Sequence, residues 1–335
     1  VSQANQHLDR LREHSLEFAR RSGMLDLPHV WDEQAFRDFD PALWSALTHP
    51  RASWNELVRL NDLHLTLWYA LAYVQSTFKP SGDLAGTKAF TRGLADFLIT
   101  EPVLPRPPVN PAERGLAEAW QNLLPCVASD QLSRLRTGVL QFTDSAVREV
   151  ANLAQDRIPD PVDHVENLRH KVGLILAPEL LLFSLGNRVP SEVMRTREMV
   201  AVLDAWTDVA GLNYDLAMYP GPDAVNNSVV VNREFLGIST EEAIALVRRL
   251  HGSQLDEFEH SLGQLPVLFD DLRLAEQERA ATLIFADGLR DWLAGDAGWE
   301  AGRHNQQQTT LSTVPAGPTG LGTTGFRIPA VSALT

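Results

Sequence analysis

The sequence predicts an all-α protein. Apolar residues return at steps of three and four along most of the chain, the spacing of one helical face. Proline and glycine punctuate these runs at intervals that suit ordinary helices. Two Ser-x-x-Glu capping boxes, Ser53 to Glu56 and Ser239 to Glu242, mark helix starts, and only Ser228–Val231 reads as a strand. With 335 residues and 44% hydrophobic content, the chain has ample material for a core.

The periodicity over Gln6–Gly23 gives a first helix with a glycine stop, and Asp32–Phe39 and Pro41–Leu47 read as short helices after a loop holding Pro28. Ser53 opens a helix to about Phe78 that is apolar on nearly all sides, which predicts a buried helix. Lys79-Pro80-Ser81-Gly82 breaks it, and Leu84–Leu98 follows as a further helix. Five prolines in residues 102–111 make an extended connector. Helices then read at Pro111–Leu124, Ser129–Asp156 and Asp160–Leu185. The last has Asp160 as cap, Pro161 in the first turn, and Gly173 and Pro178 distorting its middle. Pro190–Tyr219, a helix from Ser239 towards Leu262, and Leu272–Leu293 complete the set. The Gly/Thr/Pro-rich stretch from Gln306 has no period and reads as a flexible tail, so residues 1–304 form one expected domain and 305–335 a tail or lid.

Composition excludes several classes of function. A net charge of −14, from 43 acidic against 29 basic residues, argues against nucleic acid, which is gripped by Lys and Arg on phosphates. No run of about 18 apolar residues exists to span a membrane. Cys126 is the single cysteine, so no intrachain disulfide forms; this fits a cytoplasmic protein, with Cys126 expected as a small buried side chain.

The stretch Asp204–Val231 carries the chemistry. As a helix it sets Asp204, Asp208, Gly211, Asp215 and Met218 on one stripe, until Pro220 and Pro222 stop it. Three carboxylates on an otherwise apolar helix either line a wet cavity or are hydrogen-bonded within a core.

At this point the residues resemble a known family. HLDRLREHSLEFARRSGML, ALTHP, DLAG-x-KAF, PVNPAERGLAEAW, NLRHKVG, NNSVVVNREFLGIS-x-EEA, LDEFEH and GLRDWLAG, in that order, are similar to bacterial class I terpene synthases, geosmin synthases among them. The likeness covers roughly Leu8 to His304. It implies an isoprenoid-synthase helical bundle around a central apolar pocket, in which Mg²⁺ ions draw the diphosphate from a prenyl substrate. Hard oxygen ligands from two facing helices and a basic cluster would form the clamp.

The metal motifs depart from the family pattern. Where the resemblance implies an aspartate-rich run, the chain reads Gln75-Ser76-Thr77. The second motif falls on Tyr214, Asp215, Met218 and Pro222, where one of four ligand types survives; Asp223, Asn226 and Asn227 form a weaker polar set. Arg169, with Gly173 as helix-break residue, corresponds to the diphosphate-sensing arginine; Lys171 is retained and a second arginine appears as His170. Arg303-His304 corresponds to the late Arg-Tyr pair.

These positions give a candidate site in which Asp215 and Asp208 are the acids, Asp215 as proton donor and Asp208 either as its helper or as a structural hydrogen-bonding group. Trp68, Leu71, Gln75, Tyr214, Met218, Arg169, Gly173 and Arg303 would bind substrate. Trp68 could equally be plain core, and Arg169 could equally pair with Asp163 or Glu166 on its own helix. The expected function is a terpene-synthase-fold cyclase of secondary metabolism that closes a small apolar, polyene or isoprenoid-like substrate without Mg²⁺-driven ionisation and needs no cofactor. Confinement alone lowers a cyclisation barrier by several kcal/mol. The alternatives are a residual Mg²⁺-dependent synthase and a non-catalytic binder of an isoprenoid or a protein. The resemblance also carries a homodimer as an expectation, since family members often pair.

Overall fold

The structure, a computed structural model, describes residues 3–219 and 224–312, the side chains of Ala224 and of 303–312 excepted. Its helices in order are α1 (Leu8–Arg21), α2 (Glu33–Phe39), α3 (Pro41–Thr48), α4 (Trp54–Thr77), α5 (Leu84–Ala95), α6 (Pro111–Leu123) and α7 (Ser129–Ala154), then α8 (Pro161–Lys171), α9 (Leu176–Ser184), α10 (Ser191–Met194), α11 (Arg197–Ala217), α12 (Ser228–Leu236), α13 (Thr240–Asp271) and α14 (Glu276–Ser312). No strand occurs among the described residues. The all-α expectation holds.

Helix α4 is the axis of the bundle. Leu63, Leu65, Leu67, Tyr69 and Ala70 are all buried, which puts protein on every side of the helix, and α1, α3, α6, α7 and α9 pack against it. His64 and Asp62 are buried with them, and Asp62 meets the ring of His14 at 2.8 Å. A second apolar cluster joins α3, α9, α11, α13 and α14 around Trp206, Phe258 and Phe285, and Trp68 packs against both clusters. Each buried aromatic of this kind stabilises the fold by about 2–3 kcal/mol. Helix α14 lies so close on α3 that a Cβ at Gly295 would stand 2.4 Å from the Leu47 carbonyl oxygen. Only glycine fits there.

Both capping boxes form. Glu56 accepts from the Ser53 amide at 3.1 Å, and Ser239 and Glu242 bond reciprocally at 3.2 and 2.9 Å. The expected break within 160–185 falls at Gly173, whose φ of +83° turns the chain between α8 and α9. Pro178 distorts nothing, because it stands in the first turn of α9, where its missing N–H has no partner to lose.

Four expectations are corrected. Ser228–Val231 is the start of α12, not a strand: Asn227 caps it, accepting from the Val229 amide at 2.9 Å, and burial of Val229, Val230 and Val231 outweighs their β-branched preference. Helix α13 runs past Leu262 and through Pro266 to Asp271, held by buried Leu265 and Phe269. Cys126 is exposed, in a 3₁₀ turn after α6 rather than in the core. Helix α14 continues to Ser312, beyond the start assigned to the tail, and residues 313–335 lie outside those described.

Candidate active site

The C-terminal end of α4 carries Gln75, Ser76 and Thr77, and the 3₁₀ turn that follows places Lys79 one helical turn beyond Gln75. Lys79 Nζ lies 2.7 Å from Glu149 Oε2, on α7. The other carboxylate oxygen, Oε1, takes Lys171 Nζ at 2.6 Å, from the last residue of α8. Glu149 is buried, exposing 6% of its side chain, and Lys79 and Lys171 are half-buried beside it. Burial alone would raise the Glu149 carboxyl, but the charges of Lys171 and Lys79 together outweigh it and hold the group well below the usual carboxylate range. Lys171 also stands 4.7 Å from the ring centroid of Tyr214 on α11, whose phenol burial pushes up.

Two residues back on α8, Arg169 reaches from its own helix to α11. Its Nε and Nη2 donate to Asp208 Oδ1 and Oδ2 at 2.7 and 2.8 Å, a bidentate pair. Asp163, offered by the sequence as a partner of Arg169, instead lies 3.7 Å from Arg157. Asp215, two turns on from Asp208, is turned towards α12. Its Oδ2 accepts from the Ser228 amide at 2.7 Å and the Ser228 hydroxyl at 2.6 Å, and His164 Nε2 lies 2.8 Å away. Asn227 Nδ2 donates to the Asp215 carbonyl at 2.8 Å. A polar hollow of about 200 Å³ opens beside this cluster, between Asn152, His164, Asn167 and Asn226.

Further down α4, Trp68 anchors an aromatic wall. Its ring centroid is 4.6 Å from Trp44, 5.3 Å from Phe39 and 6.2 Å from Trp299, the last nearly parallel. Asp296 on α14 enters this wall and accepts from Trp44 Nε1 at 2.8 Å. Burial pushes its carboxyl up to about 7, against the Trp44 bond; Glu300, one turn on, raises it further and Asn213 of α11 lowers it. His64 and His49 beside Trp44 are driven by burial to about 4 and about 3, the charge of His64 adding to the effect on His49.

Residues 73–257, more than half of the chain, match the model of terpene synthase family 2, C-terminal metal binding. The chain belongs to terpene synthase family 2. It is 23% identical over 325 residues to pristinol synthase of Streptomyces pristinaespiralis, covering 93% of this chain and 84% of that one. It is 24% identical over 307 residues to 7-epi-alpha-eudesmol synthase ((2E,6E)-farnesyl diphosphate cyclizing) of Streptomyces viridochromogenes, covering 88% and 86%. Among solved structures, germacradien-4-ol synthase from Streptomyces citricolor superposes with a TM-score of 0.79 at 20% identity, over 90% of this chain and 95% of that one. That likeness is one of fold. The isoprenoid-synthase bundle expected from the sequence is therefore the fold of this terpene synthase family member.

The positions singled out in the sequence fall into three places in this family 2 fold. Arg169 and Asp208 meet each other, and Tyr214 meets Lys171. Trp68 joins the aromatic wall, while Leu71 packs half-buried beside Val74 and the core. Gln75 is half-buried at the end of α4, and Gly173 is the break after α8. Met218 is 39% exposed just past α11, and the side chain of Arg303 lies outside the described residues, as does Asp223. Among the described residues no group of three or more His, Cys, Asp or Glu stands together as a metal set. No helix among them is long and apolar enough to cross a membrane.

Sequence reasoning missed Lys79, Glu149 and Asp296. A signal existed for two of them. Lys79 follows Gln75 at helical spacing, and Asp296 shares one face with Trp292, Trp299 and Glu300. Glu149 sits in a run of ordinary amphipathic pattern beside Arg148, and nothing in the sequence sets it apart.

Proposed function

We propose that this chain is a terpene cyclase that folds an isoprenoid diphosphate against the Trp68 wall and holds the diphosphate at the charged end of α4. The observation that carries the reading is the shared face of α4: Trp68, Leu71 and Gln75 follow one another at helical spacing, and Lys79 comes one turn later, bound to Glu149. An apolar chain laid along that face has aromatic rings at one end and ammonium groups at the other. The relatives support the substrate class, since one carries farnesyl diphosphate cyclisation in its name. In such a reaction the allylic C–O bond breaks, its electron pair leaves with the diphosphate, and the cation closes on a distal double bond before losing a proton. Aromatic faces stabilise the passing cation by about 0.5–2 kcal/mol each.

The family description includes metal binding. Magnesium takes hard oxygen ligands, chiefly carboxylates and phosphates. The donors at the end of α4 are an amide, two hydroxyls and the ammonium of Lys79, and on α11 the Asp215 carboxylate is engaged by Ser228 and His164. On that donor chemistry the described residues do not fit a magnesium cluster, and no step is assigned to one. Which ring system is made, geosmin-like or otherwise, is set by pocket contour, and the product assay reads it directly.

A second reading has its own observation. Asp296 is a carboxyl held partly protonated at neutral pH among Trp44, Trp68 and Trp299, which suits protonation of a polyene that carries no diphosphate. Incubation with geranyl, farnesyl and geranylgeranyl diphosphate, followed by mass spectrometry of the extracted products, separates the two. A cyclised product supports the first reading. Intact diphosphates throughout exclude it, and the second is then tested with the corresponding hydrocarbons and alcohols.

A further inference from the structure

We infer that the polar hollow between α7, α8 and the 3₁₀ turn Ala224–Asn226 is a second binding site, built for inorganic phosphate in its protonated forms. The hollow holds about 200 Å³, and none of the residues that line it belongs to α4 or to its Trp68 face. The inference goes beyond the cyclase reading and does not depend on it.

Two buried acceptors line the hollow, His164 and Asn167, both more than nine-tenths buried. Each group within reach of His164 Nε2 takes a hydrogen from it. Asp215 Oδ2 lies at 2.8 Å, and Ser228 Oγ, at 3.1 Å, has given its own hydrogen to Asp215. Nε2 therefore carries the ring hydrogen, and in the neutral ring Nδ1 is a bare acceptor with no partner among the described residues. Asn167 repeats the arrangement: Nδ2 donates to the Ser145 carbonyl at 3.3 Å, which leaves Oδ1 as an acceptor without a donor. Buried acceptors of this kind are rare unless something supplies the hydrogen.

The other lining groups offer hydrogens. Arg157 is at the surface, yet a chain of buried amides fixes it. Its Nε donates to Asn152 Oδ1 at 3.1 Å, Asn152 Nδ2 to Asn226 Oδ1 at 2.8 Å, and Asn226 Nδ2 to the Glu149 carbonyl at 3.2 Å. Holding a long side chain still costs rotamer entropy, so its fork is set in advance for a ligand. Arg148 spends only Nε, on Asp144 at 3.1 Å. Asp163 stands 3.7 Å from Arg157 Nη2, too far to use up that donor and free to accept a further hydrogen. Asp144 and Asp163 balance the two guanidiniums, so charge alone draws in no anion and the hydrogen bonds decide which one stays. The hollow asks for bare oxygens towards the arginines and a hydroxyl towards His164 and Asn167. Inorganic phosphate keeps a P–OH at neutral pH, a monoester loses its last proton at about pH 6, and sulfate has none.

The test is calorimetry on the whole chain in EDTA at pH 7, titrating inorganic phosphate, sulfate and methyl phosphate. Phosphate should bind saturably, and the two anions without a hydroxyl about tenfold or more weaker. Arg157→Gln, at an exposed position, should fold by circular dichroism and weaken phosphate about tenfold. His164→Phe keeps a ring and leaves Asp215 its two bonds from Ser228, so it should lower phosphate to the level of sulfate. If that variant fails to fold, the comparison of anions on the native chain and the Arg157→Gln result decide alone. No saturable phosphate binding, equal affinity for phosphate and sulfate, or an unchanged affinity in Arg157→Gln overturns the inference. Because binding is read without turnover, the outcome is independent of whether any prenyl diphosphate is cyclised.

Discussion

Arg169 and Asp208 are locked side by side across α8 and α11, Nε to Oδ1 at 2.7 Å and Nη2 to Oδ2 at 2.8 Å. The geometry makes full use of the guanidinium fork, which lysine lacks. It also means that the arginine which the sequence offered as an anion ligand is already engaged in joining two helices.

Asp208→Ala should therefore cost stability before anything else. Breaking a buried pair costs about 3–5 kcal/mol, and because Arg169 exposes about a third of its side chain we expect about 1–3 kcal/mol by urea denaturation. Arg169→Lys should recover less than half of the loss. Unchanged stability in both variants would assign the pair to substrate instead.

Asp215 fastens α11 to α12 through Ser228, whose amide and hydroxyl both end on Oδ2. Asp215→Ala leaves a buried amide, hydroxyl and imidazole without their acceptor, a loss of about 2–4 kcal/mol, whereas Ser228→Ala removes one bond and should cost about 1–2 kcal/mol. If Asp215 instead donates a proton to substrate, Asp215→Asn would abolish product while the urea midpoint stays put.

The wall around Trp68 sets the contour that a substrate would meet. Trp68→Ala removes a ring in contact with Trp44, Phe39 and Trp299 and should cost about 3 kcal/mol. Trp68→Phe keeps an aromatic face, so it should fold nearly as well and change the product ratio seen by gas chromatography. A product profile identical to that of the native chain would place Trp68 in the core alone.

Stability should respond to pH in opposite directions at two carboxyls. Asp296 has its folded value raised from 3.8 to about 7, so the native state loses stability as pH rises through that window and the full penalty is present above it. Asp296→Asn removes the penalty: the variant should gain on the native chain between about pH 4 and 7, on the order of 4 kcal/mol in total. Glu149 is lowered, so its contribution is present above the ordinary carboxylate range and is lost as pH falls below it. Glu149→Gln should flatten the acid limb of the stability curve. A gain for Asp296→Asn that is constant across pH would show that its carboxyl titrates normally.

The architecture was largely legible in the sequence because its signals are local. Capping pairs at Ser53 and Ser239, proline at the start of α8 and the glycine at 173 act within a few residues of themselves. Where a local preference was overruled, the cause was tertiary: three valines went into α12 because α11 and α13 bury them, and α13 passed through Pro266 because Leu265 and Phe269 hold it in place. The site was legible only in part. Helical spacing placed Trp68 and Gln75 on one face, but the partners that decide what each group does come from far along the chain. Glu149 lies 70 residues from Lys79, and Trp44 lies 252 from Asp296. No single window contains both members of either pair.

The central claim is that the chain cyclises an isoprenoid diphosphate laid along the Trp68 face of α4. Its most direct test is pyrophosphate release from farnesyl diphosphate, followed alongside the extracted hydrocarbon in EDTA and again in Mg²⁺. The account predicts pyrophosphate and a cyclic product in at least one of the two conditions. Farnesyl diphosphate left intact in both would contradict it.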